Sequence, residues 1–337
     1  IRDSGRHRRR IEYPGSESLS VPLLKSYKVP RVKDHNLLSK YLTPLALMMV
    51  WSCNALGQEL SPRAFWPAPV GTKVLVLGYS HASGDVLMDR SIPIYGVDSK
   101  IDTAFFGYME TFSLWGRTSN VLLEVPYSTG ETKGILVDEP AQRDVAGFND
   151  LGIRMTVNIV GAPAMNSEEF LALRAVPHWL LGINFKVVPP SGHYDDDRLI
   201  NVGANRWASR VKLGSVIPLH QRWLLELEAG AWFFGDDDEF IAGNREQEPV
   251  YSAEAHLVHR FRPGLWASLE ANYFTGGRQT VGGDELADTQ SNRRFGGTLV
   301  YPFAGRHAIK VGYSKGTRTR YGNDFTQFIF TYQVLLP

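Results

Sequence analysis

A chain of 337 residues with a formal net charge of +1 and 21% charged residues has no electrostatic footprint for nucleic acid. Its single cysteine, Cys53, excludes an intrachain disulfide. After residue 60 no run of about 18 or more uncharged apolar residues occurs, so any membrane role must come from strands.

Residues 1–38 open with "IRDSGRHRRRIEYPGSE", which is basic, polar and patternless, and the first methionine is Met48. This stretch reads as non-native sequence ahead of a true start or as a disordered basic extension. Residues 39–57 carry the order of a secretory signal: Lys40, an apolar stretch from Tyr41 to Trp51, then Ala55-Leu56-Gly57 before Gln58. Cleavage is expected after Gly57. Lipid modification at Cys53 is the weaker alternative, because Trp51 is bulky where such signals keep a small residue. Residues 58–71 are read as a short periplasmic segment leading to the first strand.

From residue 72 to 337 the dominant signal is period-two alternation in segments of about ten residues, the length that crosses a bilayer as a tilted strand. Twelve such segments fall near 72–80, 101–114, 120–127, 148–160, 178–187, 205–216, 222–234, 250–261, 265–275, 293–301, 307–315 and 325–336. In 222–234 one face is Trp223, Leu225, Leu227, Ala229, Ala231 and Phe233, and the other carries Leu224, Glu226, Glu228, Gly230, Trp232 and Phe234. In the last segment Phe328, Phe330, Tyr332, Val334 and Leu336 oppose Gln327, Ile329, Thr331 and Gln333. Long polar connections follow the odd segments and tight turns follow the even ones, as expected for extracellular loops and periplasmic turns. One link departs: "GAPAMNSEEFLALRAV" reads as a short helix capped by Asn166 with Glu169 three residues on.

The expected fold is therefore all-β, a transmembrane antiparallel up-and-down barrel of about twelve strands with one short periplasmic helix. Trp207, Phe233, Tyr251, Tyr273 and Tyr313 would form the outer aromatic girdle, and Trp179, Trp223, Phe261 and Tyr301 the inner one. A soluble barrel or sandwich also alternates, but twelve strands would enclose a core that is hard to fill. The second strand strains the pattern, since Glu110 shares a face with Phe106, Tyr108 and Phe112.

The polar faces supply the candidate site. Glu124, Arg154, Lys186, Arg206, Arg210, Lys212, Glu226, Glu228, Glu254, His256, Arg260, Glu270, Arg294 and Lys310 are expected to point inward and line a hydrated lumen. A turn at "IPLH" would set Lys212 opposite Glu226 and Arg210 opposite Glu228, two cross-strand ion pairs. Mixed signs do not make a strongly ion-selective ring. No phosphate loop, paired cysteines or His-Glu-x-x-His motif occurs, so neither a cofactor nor a resident metal is expected. The acidic runs at 195–197 and 236–238 could hold Ca²⁺ or bridge to lipopolysaccharide, but solvated loops are the plainer reading. His193, His256, Ser209 and Ser252 are the groups to test as a Ser/His arrangement, and lone residues of these types are more often wall groups.

"NVGANRW" with "GSVIPL", "ELEAGAWFFGDDDEF", "LWASLEANYFTGGRQTVGG" and "IKVGYSKGTRTRYGNDFTQFIFTYQ" resemble the transporter-like outer-membrane proteins described as the meta-pathway phenol degradation family. The resemblance covers most of residues 70–337. It implies a Gram-negative outer-membrane barrel passing aromatic or other small compounds. Leu336-Pro337 departs from the usual aromatic barrel ending. The expected function is a passive outer-membrane channel rather than an enzyme. Its expected partners are outer-membrane lipid, lipopolysaccharide, a small-molecule solute and the barrel-assembly machinery. The rival from another class is a structural barrel whose lumen is closed by its own charges.

Overall fold

The computed structural model describes residues 61–87, 94–136, 139–197, 201–240, 243–318 and 322–337. The expected extension and signal segment lie outside them. No helix among the described residues is long and apolar enough to cross a membrane.

The strands are β1 (Lys73–Leu87), β2 (Ile94–Leu114), β3 (Arg117–Leu136), β4 (Glu139–Phe148), β5 (Gly152–Val160), β6 (Leu180–Val188), β7 (Ala208–His220), β8 (Trp223–Phe234), β9 (Arg245–Gln247), β10 (Val250–Arg262), β11 (Leu265–Gly276), β12 (Gln279–Val281), β13 (Asp284–Glu285), β14 (Gln290–Phe303), β15 (His307–Arg318) and β16 (Gly322–Leu335). One helix, α1 (Ser167–Ala175), joins β5 to β6. Thirteen strands form one antiparallel sheet, and β1 pairs with β16, which closes it. Because β4 and β5 share one position along β3, the barrel has twelve staves. Strands β9, β12 and β13 make a separate small sheet in the loops.

Closure follows from the alternation. An open sheet with one apolar face would leave two unpaired edges, and in hydrocarbon each unpaired backbone group costs several kcal/mol. All nine predicted girdle aromatics are exposed on the outer surface, with Leu213, Leu227, Leu269 and Leu299 between them. Glu110 also lies on this face, near the turn end of β2. There it sits opposite Lys73, at 3.9 Å, and accepts the Tyr108 hydroxyl at 2.8 Å. These partners and its place near the strand end account for a carboxylate among aromatics.

Boundaries differ from expectation in the first four staves: β1 runs on to Leu87 where the segment was expected to end near 80, and β2 starts at Ile94 where it was expected from 101. The polar segment after the third predicted strand is not a loop: β3 runs to Leu136 and β4 returns from Glu139. The twenty residues of β3 span about 65 Å, well beyond the hydrocarbon core. The fourth stave, expected from 148, starts at 139 and breaks at 149–151. At the break Asp150 accepts three backbone N–H groups from the loop after β6: Ser191 at 2.9 Å, Gly192 at 2.7 Å and Ala204 at 2.7 Å. A register shift between Asn158 and Val160 marks a bulge, and Val160, expected on the polar face, is exposed beside Ile159.

The helix forms as its sequence requires. The Asn166 side chain accepts from the Glu168 and Glu169 backbone N–H groups, and the Glu169 carboxylate reaches back to the Asn166 N–H at 2.8 Å. Elsewhere the even links are tight. Trp115 and Gly116, both at positive φ, close the β2–β3 hairpin in two residues.

Candidate functional site in the barrel interior

The inward side chains of β6, β7, β8, β10 and β11 form three layers. At the turn end Leu180, Val216, Leu224 and Val258 make an apolar cluster with Ala162, Met165 and Leu173 of α1 and its flanks. At the loop end Val188, Ala208, Trp232, Val250 and Phe274 make a second one. Between them runs a belt of charge. Cross-strand pairing aligns Gly182, Gly214, Glu228, Glu254, Asn272 and Arg294 in one row, and Leu180, Val216, Glu226, His256, Glu270 and Gly296 in the next.

The belt is buried where hydrated wall groups were expected: Glu226 and Glu228 are only 2% and 4% exposed. The reason lies partly in a segment that sequence reading assigned to a plain leader into the first strand. Residues 61–71 enter the turn end of the barrel. Phe65 is 2% exposed within this apolar cluster. Its ring occupies the space over Gly182 and Gly214, where an added Cβ would lie 2.6 and 2.0 Å from it. Arg63 takes positive φ, and its backbone N–H donates to Glu226 Oε2 at 2.7 Å. A charge-assisted bond of this kind offsets the cost of that backbone geometry. The Arg63 guanidinium lies over Trp66, 4.4 Å from the ring centre. Val70 and Gly71 then bond to Met165 and Thr111.

The expected register between β7 and β8 is corrected by four residues in the register sum. The strand continues through "IPLH" to His220, and Gln221 and Arg222 make the turn. Lys212 therefore faces Gly230, and Arg210 faces Trp232, over which its guanidinium lies at 5.1 Å. Glycine at 230 matters, because a Cβ there would meet Lys212 Cγ at 2.5 Å. The lysine runs diagonally through that slot to Glu228 Oε2 at 2.9 Å and also reaches Glu254 on β10. The pairing of lysine with glutamate survives, with a different glutamate.

The other predicted site residues are dispersed around the wall. Lys186 is buried and pairs with Glu124 at 2.8 Å, while Arg154 is half-buried directly opposite Lys186. Glu270 is buried and accepts from the Ser268 hydroxyl at 2.7 Å. Arg294 is buried, donates to the Phe325 carbonyl and the Ser314 hydroxyl, and stacks on Phe325 at 3.8 Å. Lys310 is half-buried on β15. Arg260 lies at the turn end, donating to the Arg174 carbonyl at 3.0 Å with its guanidinium over Trp66. Arg206 precedes β7, bonds to Gln247 and lies over Phe234 at 4.9 Å. The candidate serines and histidines are not brought together: Ser252 and His256 are four residues apart on one strand, about 13 Å, Ser209 shares the outward face of β7 with Val211, and the loop residue His193 packs against Gly147 at the end of β4.

The run 236–238, read as solvated, holds instead the centre of a loop latch. Asp237 is fully buried and accepts from Arg245 Nη2 at 2.9 Å, the Tyr194 hydroxyl at 3.1 Å and Asn205 Nδ2 at 3.1 Å. Its own backbone N–H and carbonyl pair with those of Arg245. Burial pulls the Arg245 and Arg206 guanidiniums below their ordinary range. Burial, then the Asp237 charge, pushes the Tyr194 phenol well above its usual value. A raised phenol keeps its proton in the folded loops, so this bond persists through the ordinary tyrosine range and is lost only as pH rises through the higher folded value. Asp195, Asp196 and Asp197, by contrast, are half-buried to exposed. Asp237→Asn is expected to weaken the latch by about 1–3 kcal/mol, the scale of a lost charged acceptor. Faster protease cleavage within 189–207 and 235–249, with the barrel still folded, is the expected readout; unchanged cleavage rates would reject the latch.

The family model described as "Putative MetA-pathway of phenol degradation" matches residues 83–332. Among solved structures, the chain is similar to the COG4313 outer membrane channel from Pseudomonas putida F1, with 19% identity and a TM-score of 0.68, covering 82% of this chain and 100% of that one. The transport unit of the autotransporter AIDA-I from Escherichia coli matches at 9% identity and a TM-score of 0.48, over 88% of this chain and 97% of that one. No curated protein matches in sequence. At 19% identity the likeness to the COG4313 channel speaks to the fold alone.

Proposed function

The chain belongs to the family described as the MetA-pathway of phenol degradation, and on that premise we propose that it is a passive outer-membrane channel for small molecules, of the aromatic or hydrophobic class. One observation carries the reading: a single closed barrel has an apolar outer band between aromatic girdles and a polar, charged inner wall through its middle. The solute pathway is proposed to follow that inner wall, past Glu124, Arg154, Lys186 and Lys310 and beside the belt around Lys212, Glu226 and Glu228. The loops after β6, β8 and β11 face the outside and restrict access, and α1 lies on the periplasmic side. Outer-membrane lipid contacts the apolar band, lipopolysaccharide the outer rim, and the assembly machinery inserts the barrel. No energy source enters this mechanism; the solute moves down its gradient.

A second reading is favoured by the layers themselves. Two apolar clusters on the inner wall, one holding Phe65, and a buried belt are what a structural barrel with a closed lumen would have. Single-channel conductance of the folded protein in planar bilayers separates the two. The channel reading expects a small steady conductance whose ion preference shifts towards anions in Glu226→Gln/Glu228→Gln. Silence from protein shown to be folded, by its heat-modifiable gel migration, would favour the closed barrel.

A further inference from the structure

The middle belt carries more carboxylate than cation. On β7, β8, β10 and β11, four carboxylates, Glu226, Glu228, Glu254 and Glu270, are buried with two cations, Arg210 and Lys212. Glu228 and Glu254 are directly opposite one another, an unfavourable placement for like charges unless a cation joins them. Lys212 does so from one side only, at Glu228 Oε2 and Glu254 Oε1. The other two oxygens, Glu228 Oε1 and Glu254 Oε2, are buried and accept no hydrogen bond. Both face His256. Its Nε2 lies 3.8 Å from the first and 3.7 Å from the second. The imidazole is fully buried, and neither ring nitrogen makes a hydrogen bond. Glu228, Glu254 and His256 thus bring one ligand atom each within 4.8 Å of the others.

We propose that Glu228, Glu254 and His256 form a binding site for a divalent transition-metal ion of the Zn²⁺ class. An ion with bonds of about 2.0–2.2 Å to imidazole nitrogen and carboxylate oxygen holds tetrahedral ligand atoms roughly 3.3–3.6 Å apart. The observed separations of His256 from the two oxygens need to close by only a few tenths of an ångström. One nitrogen with two oxygens favours Zn²⁺ and its neighbours over Mg²⁺ or Ca²⁺, which prefer all-oxygen sets. Lys212 takes the part of an outer partner, fixing each carboxylate through the oxygen the ion does not use. The ion would join β8 to β10 at the height where Phe65 closes the barrel from below, and three protein ligands leave a position for water or solute.

The test uses the purified, folded chain in detergent, stripped with chelator and then titrated. Zn²⁺ is expected to bind at one ion per chain, and Co²⁺ to give the intense visible bands of a four-coordinate site. His256→Ala and Glu254→Gln, which remove direct ligands, should each weaken binding by at least the roughly 10–100-fold that losing an outer partner costs, whereas Asp195→Asn/Asp197→Asn in the outer loop should leave it unchanged. His256→Cys, which keeps a ligand atom, should add a thiolate-to-cobalt charge-transfer band in the near ultraviolet. The proposal is overturned by folded native protein that binds no stoichiometric ion, by binding that survives His256→Ala, or by binding lost with the aspartates of the outer loop.

Discussion

Lys212→Met is expected to destabilise the folded barrel by about 3–5 kcal/mol, the scale of removing one partner from a buried ion pair. The Lys212 side chain is 3% exposed and serves two glutamates whose side chains are each 1% exposed and face each other across β8 and β10. Methionine conserves the volume of the chain that passes Gly230, so packing changes little and the loss comes from carboxylates left without their cation. The check is urea unfolding in lipid vesicles with chelator present throughout. The triple variant Lys212→Met/Glu228→Gln/Glu254→Gln should recover most of the loss, because a neutral buried cluster has no charge to strand. A loss below about 1 kcal/mol in the single variant would mean that the belt is solvated after all.

Phe65→Ala is expected to release residues 61–71 from the turn end. Truncating a buried phenylalanine costs about 3–5 kcal/mol. Here the cost falls on docking of the segment, because the hydrogen bonds that close the barrel run between strands. A shift of that size moves the docked and undocked populations by more than about 100-fold. Gly214→Ala should give the same outcome from the opposite side, since its methyl group would lie 2.0 Å from the Phe65 ring. Both variants should raise single-channel conductance and expose a cysteine placed at Ala64 to a maleimide added from the periplasmic face. Conductance and labelling that match the parent in both variants would show that the segment does not restrict the barrel.

The parts that were legible in the sequence are those that local chemistry determines. Alternation has a period of two because successive side chains leave a strand on opposite sides, so Leu225 and Leu227 had to part from Glu226 and Glu228 whatever the strand's neighbours. The Asn166–Glu169 capping box is equally local. Girdle aromatics were readable for a related reason: an amphipathic ring prefers the boundary between hydrocarbon and water. The β7–β8 register was not readable, because moving it by four in the sum keeps every side chain on its face and the alternation cannot distinguish the two. Only the glycine at 230, which gives Lys212 its path, hinted at the answer.

Asp237 and Phe65 were missed for another reason. Each gains partners from outside its own segment, Asp237 from Tyr194 and Asn205 as well as Arg245 eight residues on, and Phe65 from the wall at Gly182 and Gly214, and neither sits in a periodic segment. An acidic run such as "GDDDEF" looks solvated until Arg245 and Tyr194 fold over it. The pair Phe65-Trp66 ahead of the first strand, together with glycines at inward positions 182 and 214, was the available signal for a segment inserted into the barrel. By itself the sequence determined a twelve-stave barrel with its apolar face outward, since each strand must match hydrocarbon on one side and polar surroundings on the other. Tertiary structure alone decided what fills the interior, because register, diagonal reach and the docking of residues 61–71 depend on contacts that no local pattern encodes.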